Sequence, residues 1–306
     1  MRTLITGATG FVGRELLRRL PLCRVLTRSP ERARAAFGQE ADIRQWDWRA
    51  GRPPPETFDD IEAVVHLAGE PIADRRWTPA LKETIRASRV ESTRHLVEAM
   101  VKHSSPPRTL VCASGIGFYG DRGDELLDED TSAGQSFLAQ VCVEWEAAAL
   151  RAGEHGVRVV CLRSGVVLDP SGGALKRMML PFRLGVGGVL GPGDQWFPWI
   201  AREDLVRIVE CCLASPTIAG PVNAVAPELI QNRTFVRELG RALHRPALVW
   251  TPAPLLRIAL GEFANELLAS QRAVPKRLTA HGFKFERPAL ASTLTELLAH
   301  NKGRPG

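Results

Sequence analysis

The chain reads as an α/β protein built on a doubly wound parallel sheet, and three features of its sequence say so. Short apolar runs alternate with helical stretches through the first half. The first run, TLIT, enters Gly7-x-x-Gly10-x-x-Gly13, so the glycines fall in a turn between a strand and a helix. From about Leu168 the texture changes, with a glycine-rich stretch at 185–199 and a smaller second unit beyond it.

Strands are predicted at 3–6, 24–27, 42–46, 63–67, 109–113 and 157–162, with helices at 11–20, 31–37, 79–101 and 137–152 between them. A short strand is expected at 220–227, and helices at 202–214, 234–243 and 289–300. The proline-interrupted apolar segment 250–268 is also expected to be helical. This order gives a dinucleotide-binding unit of the Rossmann type over 1–167, with 200–227 adding a further helix and strand. Residues 168–199 and 228–306 would form a smaller, partly interwoven C-terminal substrate lobe. A ligand cleft is expected outside the carboxyl ends of the strands.

Composition narrows the function classes. At 306 residues, 44% hydrophobic and 24% charged, the chain can bury a sizeable core. It has no apolar run of the ~20 residues needed to span a bilayer, and no membrane partner is expected. The first strand follows Met1 at once, leaving no room for a targeting peptide, so the cytoplasm is the expected location. The six cysteines and seven histidines lack disulfide or ligand spacing, so no metal is expected. The net charge of +6 is scattered arginine rather than a basic stripe with aromatics, which argues against a nucleic-acid partner.

The glycine turn is an anion site in outline. The helix N-terminus presents unpaired N–H groups, and its dipole favours a pyrophosphate. An acidic residue at the end of the second strand would mark NAD, and an arginine there accommodates the 2′-phosphate of NADP. Here "CRVLTR" ends at Arg28, followed by Ser29, Arg32 and Arg34, and no acid stands at the strand end. NADP(H) is therefore the expected cofactor.

The motif spacing identifies a resemblance. The glycine turn, "VVHLAG" at 64–69 and "ASGIGFYG" at 113–120 resemble the extended short-chain dehydrogenase/reductases. More narrowly, the chain is similar to their atypical, epimerase-like branch, which carries a C-terminal domain of unknown function. That likeness rests on "LAGEPIADRRW", "SRVEST", "WEAAA", "LRSGVVL", "PFRLGVGGVLGPGDQWFPWI", "GPVNAVAPE" and "HGFKF", which together span nearly the whole chain. The resemblance implies that Gly7, Thr9, Gly10, Phe11 and Val12 line the pyrophosphate and that Arg28 meets the 2′-phosphate. It places Asp47 at the adenine, Leu67, Ala68 and Gly69 along the ribose, and the segment holding Arg163, Gly165 and Val166 at the nicotinamide.

Short-chain dehydrogenases normally carry Tyr-x-x-x-Lys on the helix after the fifth strand, where the ammonium lowers the pKa of the proton-exchanging tyrosine. Here that helix reads "SFLAQVCVEWEAAAL", and the positions that could align are Leu138/Cys142 or Ala139/Val143. Ser114 remains at the end of the fifth strand, and Tyr119 is the chain's single tyrosine. Tyr119 either supplies the proton with help from Ser114, or shapes the pocket wall. As an acid it would need a cation such as Lys82 or Arg86, because an unassisted phenol titrates near ~10. Trp145 and Glu146 fit packing and a buried hydrogen bond, with acid/base work by Glu146 as the alternative. Gln195, Trp196 and Trp199 are the candidate substrate contacts in the glycine-rich stretch, the tryptophans fitting packing anchors equally well. Lys176 and Arg183 fit a helix surface or an anionic substrate, and Asp204 a helix N-terminal acid. Two functions follow: an epimerase-like NADP(H)-dependent oxidoreductase for a small polar substrate, or a catalytically silent NADP(H)-binding regulator. The sequence leaves monomer or homodimer open.

Overall fold

A computed structural model describes residues 1–301; residues 302–306, the end of the expected C-terminal lobe, lie outside the described residues. The chain runs β1 (Thr3–Thr6), α1 (Phe11–Arg19), β2 (Cys23–Thr27), α2 (Pro30–Phe37), β3 (Asp42–Gln45), β4 (Ala63–His66), α3 (Pro79–Met100) and β5 (Thr109–Gly115). It continues through β6 (Leu126–Leu127), α4 (Phe137–Leu150), β7 (Arg158–Ser164), β8 (Val166–Leu168), α5 (Gly173–Arg183), β9 (Gly188–Leu190), β10 (Trp199–Ala201) and α6 (Arg202–Ala214). The last elements are β11 (Gly220–Ala224), α7 (Asn232–Leu243), β12 (Val249–Thr251), α8 (Ala253–Leu260), α9 (Phe263–Leu268), β13 (Arg272–Ala273), α10 (Lys276–Ala280) and α11 (Leu290–Asn301).

The central sheet has seven strands in the order β11-β7-β5-β4-β1-β2-β3, and every pair is parallel. It is the doubly wound parallel sheet expected from the sequence. β1 and β4 are buried along their whole length, as strands covered on both faces must be. On one face Leu16, Val209 and Leu294 join a core that reaches into the C-terminal lobe. On the other, Trp46, Leu96 and Trp145 pack under α3 and α4. From β1 the chain winds outward in one direction to β3, then returns to the other side at β4. That reversal opens a crevice between β1 and β4 at their carboxyl ends.

The C-terminal part adds three short parallel pairs, β8 with β10, β9 with β12, and β6 with β13. Periodicity could not show them, because strands of two or three residues carry no readable pattern. The segment 250–268 is helical over most of its length, as expected, but as two helices, α8 and α9, that follow the end of β12. Gly261, at φ +64°, ends α8 in the left-handed region that glycine tolerates best.

Candidate active site

The glycine turn sits at the crevice. Gly7 has φ +69°, and a Cβ there would lie 2.7 Å from the carbonyl carbon of Leu67 on the neighbouring loop. A Cβ on Gly13 would come within 2.3 Å of the Gly7 oxygen, so only glycine lets α1 pack this closely on the turn. α1 begins at Gly10 with no side-chain cap and no acid in its first turn, leaving its amide groups open to an anion. Arg14 Nε donates to Thr9 O at 3.0 Å. The half-buried Phe11 ring lies against Gly172 and Gly173, with the Arg202 guanidinium 5.0 Å above it. Val12 is also half-buried and packs against the core.

The opposite wall is the loop after β4, held by a buried polar triad. His66 Nδ1 is 2.7 Å from Thr6 Oγ1, and Ser92 Oγ is 3.3 Å from its Nε2. Burial pulls the His66 pKa down to about 4, so the ring is neutral. Thr6 Oγ1 also accepts from Ala68 N at 3.2 Å, which fixes the backbone of Leu67, Ala68 and Gly69 beside the turn. Arg28 stands exposed at the tip of β2 without a partner among the described residues. Asp47 is half-buried, and its carboxylate accepts from Arg49 N at 3.0 Å. These features fit a dinucleotide: a turn too tight for a Cβ, open helix amides and a free cation at the strand tip.

At the end of β5 the structure gathers residues that lie far apart in sequence. Ser114, 5% exposed, donates from Oγ to Glu146 Oε1 on α4 at 2.7 Å. Arg163 on β7 grips the same carboxylate through Nε and Nη2, both at 2.8 Å. Its guanidinium lies 3.4 Å from the Phe118 ring centroid. Burial opposes the Arg163 charge, but the hydrogen bonds and charge of Glu146 outweigh it and raise the pKa. The Arg163 side chain is therefore turned away from any ligand: its fork is filled by Glu146 and its face by Phe118. The neighbouring backbone is pinned too, with Gly165 N bonded to Ala224 O at 3.1 Å and Val166 N to Pro198 O at 2.9 Å.

Of the two readings of Tyr119, proton supply is the one its surroundings oppose. The residue is fully buried, with its hydroxyl 2.7 Å from Asp128 O, 2.8 Å from Asn223 Oδ1, and accepting from Arg163 Nη1 at 3.0 Å. Burial raises its pKa while Arg163 works against the rise. A phenol sealed in this way is a packing and hydrogen-bonding element, with no open side toward a substrate. Nor do the proposed helpers reach it, since Lys82 pairs with Glu262 at 2.7 Å and Arg86 with Glu144 at 2.6 Å.

α4 brings Leu138 against Gly117 and Cys142 Sγ to 3.7 Å from Gly115 O. Burial pushes the Cys142 thiol up to about 11, so it is no thiolate. The cation beside this helix comes instead from α3. The Arg89 guanidinium lies 5.3 Å from the Trp145 ring centroid and packs on Gly69, where a Cβ would be 3.2 Å from its Cζ. Among the described residues its hydrogen bond goes to Ile85 O in its own helix, at 3.1 Å. Burial lowers its pKa. Sequence reasoning overlooked Arg89; the signal was its place in "SRVEST", on the helix that follows the Gly69 loop.

The candidate substrate residues separate. Trp199 is 1% exposed in the core, where it is a packing anchor and not a substrate contact. Gln195 is buried, donating from Nε2 to Leu190 O at 3.0 Å with its Oε1 unpartnered. Trp196 is half-buried, with Nε1 donating to Asp124 Oδ1 at 2.7 Å and Arg272 4.9 Å from its ring centroid. Asp204 lies in the first turn of α6 as expected, but is fully buried and accepts from Glu286 N and Arg287 N at 2.9 Å each.

A glycine turn, a switch-point crevice and a serine at the end of β5 define an NAD(P)-binding protein of the extended short-chain dehydrogenase/reductase class. Residues 3–224 match the NAD dependent epimerase/dehydratase family, and residues 251–297 match a domain of unknown function, DUF1731. The chain belongs to that epimerase/dehydratase family. It is 39% identical to an epimerase family protein of Mycobacterium bovis, over 99% of this chain and 98% of that one. The crystal structure of a human epimerase family protein with NADPH superposes with a TM-score of 0.87 at 34% identity, covering 98% of this chain and 99% of that one. A UDP-glucuronic acid 4-epimerase from Bacillus cereus, with NAD, shares the fold at a TM-score of 0.76 and 16% identity, covering 99% of each chain.

Proposed function

We propose that the chain is an NADP(H)-dependent, epimerase-like oxidoreductase for a small polar substrate, in which Ser114 and Glu146 do the proton work usually given to tyrosine. The bond from Ser114 Oγ to Glu146 Oε1 at 2.7 Å carries this reading. Arg28 supports NADP(H) over NAD(H), and the human relative's structure holds NADPH. When bound, the nicotinamide supplies a hydride donor or acceptor at its C4. Ser114 gives its one proton to Glu146, so it meets a substrate hydroxyl as an acceptor. In the oxidising direction the substrate proton passes to Ser114 Oγ, and the serine proton passes to Glu146 Oε1. Arg163 gives the carboxylate its counter-charge and fixes its orientation. Arg89, packed on Gly69 without a carboxylate partner, would hold the cofactor ribose in place of the missing lysine.

The test is a carbonyl and alcohol panel with purified protein and NADPH or NADP. Ser114→Ala and Glu146→Gln should each lower turnover by about 10²-fold or more while NADPH affinity stays within twofold. Arg28→Asp should weaken NADPH at least tenfold more than NADH; an equal loss of both would remove the 2′-phosphate assignment. The absence of tyrosine and lysine from α4 favours the second reading, a silent NADP(H)-binding regulator. Tight NADPH binding without turnover across the panel would select it.

A further inference from the structure

Eight of the thirteen large hydrophobic side chains that stand exposed among the described residues lie between positions 180 and 258. Leu248 is 86% exposed, Ile258 71%, Leu184 69% and Trp250 65%. Tertiary structure joins them. β12 pairs with β9, setting Trp250 beside Val189, and Val249 N bonds Gly187 O at 3.4 Å. α8 follows β12 directly, and Arg76 on the loop before α3 reaches Ile258 O at 3.4 Å. The same loop is tied to α5 by Arg177, which bonds Ala73 O at 2.5 Å and pairs with Asp74. The end of α5, the β9–β12 ribbon and α8 therefore form one face.

The two long segments of that face carry charge of one sign. Segments 172–193 and 244–260 hold Lys176, Arg177, Arg183, Arg245 and Arg257, and not one aspartate or glutamate. Of the five, only Arg177 has a carboxylate partner among the described residues. An exposed apolar strip rimmed by cations, of which the Lys176, Arg183 and Arg245 side chains have no partner among the described residues, marks an interaction surface. Side chains that project this far suit a broad partner better than an enclosed small ligand, which concave pockets bury by 70–90%. A second copy fits poorly, because a two-fold interface would set the basic rim against itself.

We propose that this face docks the protein on an anionic lipid bilayer, with the leucines, Ile258 and Trp250 entering the interface and the cations meeting lipid phosphates. Aliphatic and tryptophan side chains rimmed by lysine and arginine are the chemistry of peripheral membrane binding. The sequence expectation of no membrane partner rested on the lack of a spanning run, a criterion blind to a face assembled from two segments. The proposal goes beyond the oxidoreductase reading and stands apart from it, since its test needs no turnover.

The full-length protein is sedimented with vesicles of phosphatidylglycerol and phosphatidylcholine, and with phosphatidylcholine alone. Binding is expected to the first and not the second, falling at least tenfold between 50 and 300 mM salt. Leu184→Asp with Ile258→Asp should lose binding at least tenfold, and so should Arg183→Glu with Arg245→Glu, whose exposed side chains have no partner to lose. Melting temperature and NADPH affinity of both variants should match the parent. No binding to the anionic vesicles, or undiminished binding by the charge variant, would overturn the proposal. So would a dimer in sedimentation velocity that Leu184→Asp with Ile258→Asp dissolves, because the face would then be covered by a second copy.

Discussion

Replacing Arg163 with methionine tests the buried cluster most directly. Arg163 and Glu146 are 4% and 5% exposed, so the substitution leaves a carboxylate in the core with the Ser114 hydroxyl as its remaining partner among the described residues. Two charge-assisted bonds of 2.8 Å disappear, each worth about 1.5–3 kcal/mol. Methionine refills much of the volume, so the cavity term is small. Breaking one side of a buried ion pair costs about 3–5 kcal/mol, in agreement with the bond count. For a domain of this size, that lowers the melting temperature by roughly 6–12 °C.

The sign of the pH dependence is specific. Without its cation, the buried Glu146 carboxyl has its pKa raised above the unfolded value. The folded variant then holds its proton more tightly than the unfolded chain. The deficit against wild type should therefore be small near pH 5 and grow toward pH 8. Thermal melts of both proteins across that range provide the assay. Glu146→Gln together with Arg163→Met should recover at least half of the lost stability, since no charge is left stranded. A deficit below about 1 kcal/mol, or one that shrinks as pH rises, would refute the reasoning.

Three further outcomes are expected. Gly13→Ala, which puts a Cβ 2.3 Å from the Gly7 oxygen, should weaken NADPH by at least tenfold in a fluorescence titration while leaving the circular dichroism spectrum near that of the parent. His66, held at about 4 by burial, contributes stability that is present above its unfolded pKa near 6.5 and is lost as pH falls toward 4. Its share is on the order of 3 kcal/mol, so His66→Asn should flatten the wild-type stability profile over that window. Asp204→Ala removes the acceptor of two backbone amides and of Arg207 at 2.8 Å. It should cost about 2–4 kcal/mol and speed amide exchange at Glu286 and Arg287 before it does so in β1 or β4.

Local rules carried the dinucleotide half of the molecule. Strand periodicity, the turn glycines and Arg28 at a strand end each depend on neighbours within about ten residues, and there the sequence was legible. The cluster at the end of β5 was legible only in part. Ser114 could be placed from its motif and Glu146 weighed as a buried group, yet Tyr119 and Arg163 were read as facing ligand. Their true partners, Asn223 and Glu146, lie 104 and 17 residues away. Arg89 went unnoticed because its environment is made by Gly69 and Trp145, from two other elements.

The sequence by itself therefore determined the class of fold, the place of the glycine turn and the cation at the tip of β2. Backbone conformation and amphipathic pattern act at short range, so one stretch of chain suffices to reveal them. Tertiary structure alone decided which polar groups became sealed in pairs, which arginine lay without a carboxylate partner beside the Gly69 loop, and that two acid-free segments share one apolar face. Those properties follow from desolvation and charge pairing, which depend on what the whole fold brings within a few ångströms, wherever it lies in the chain.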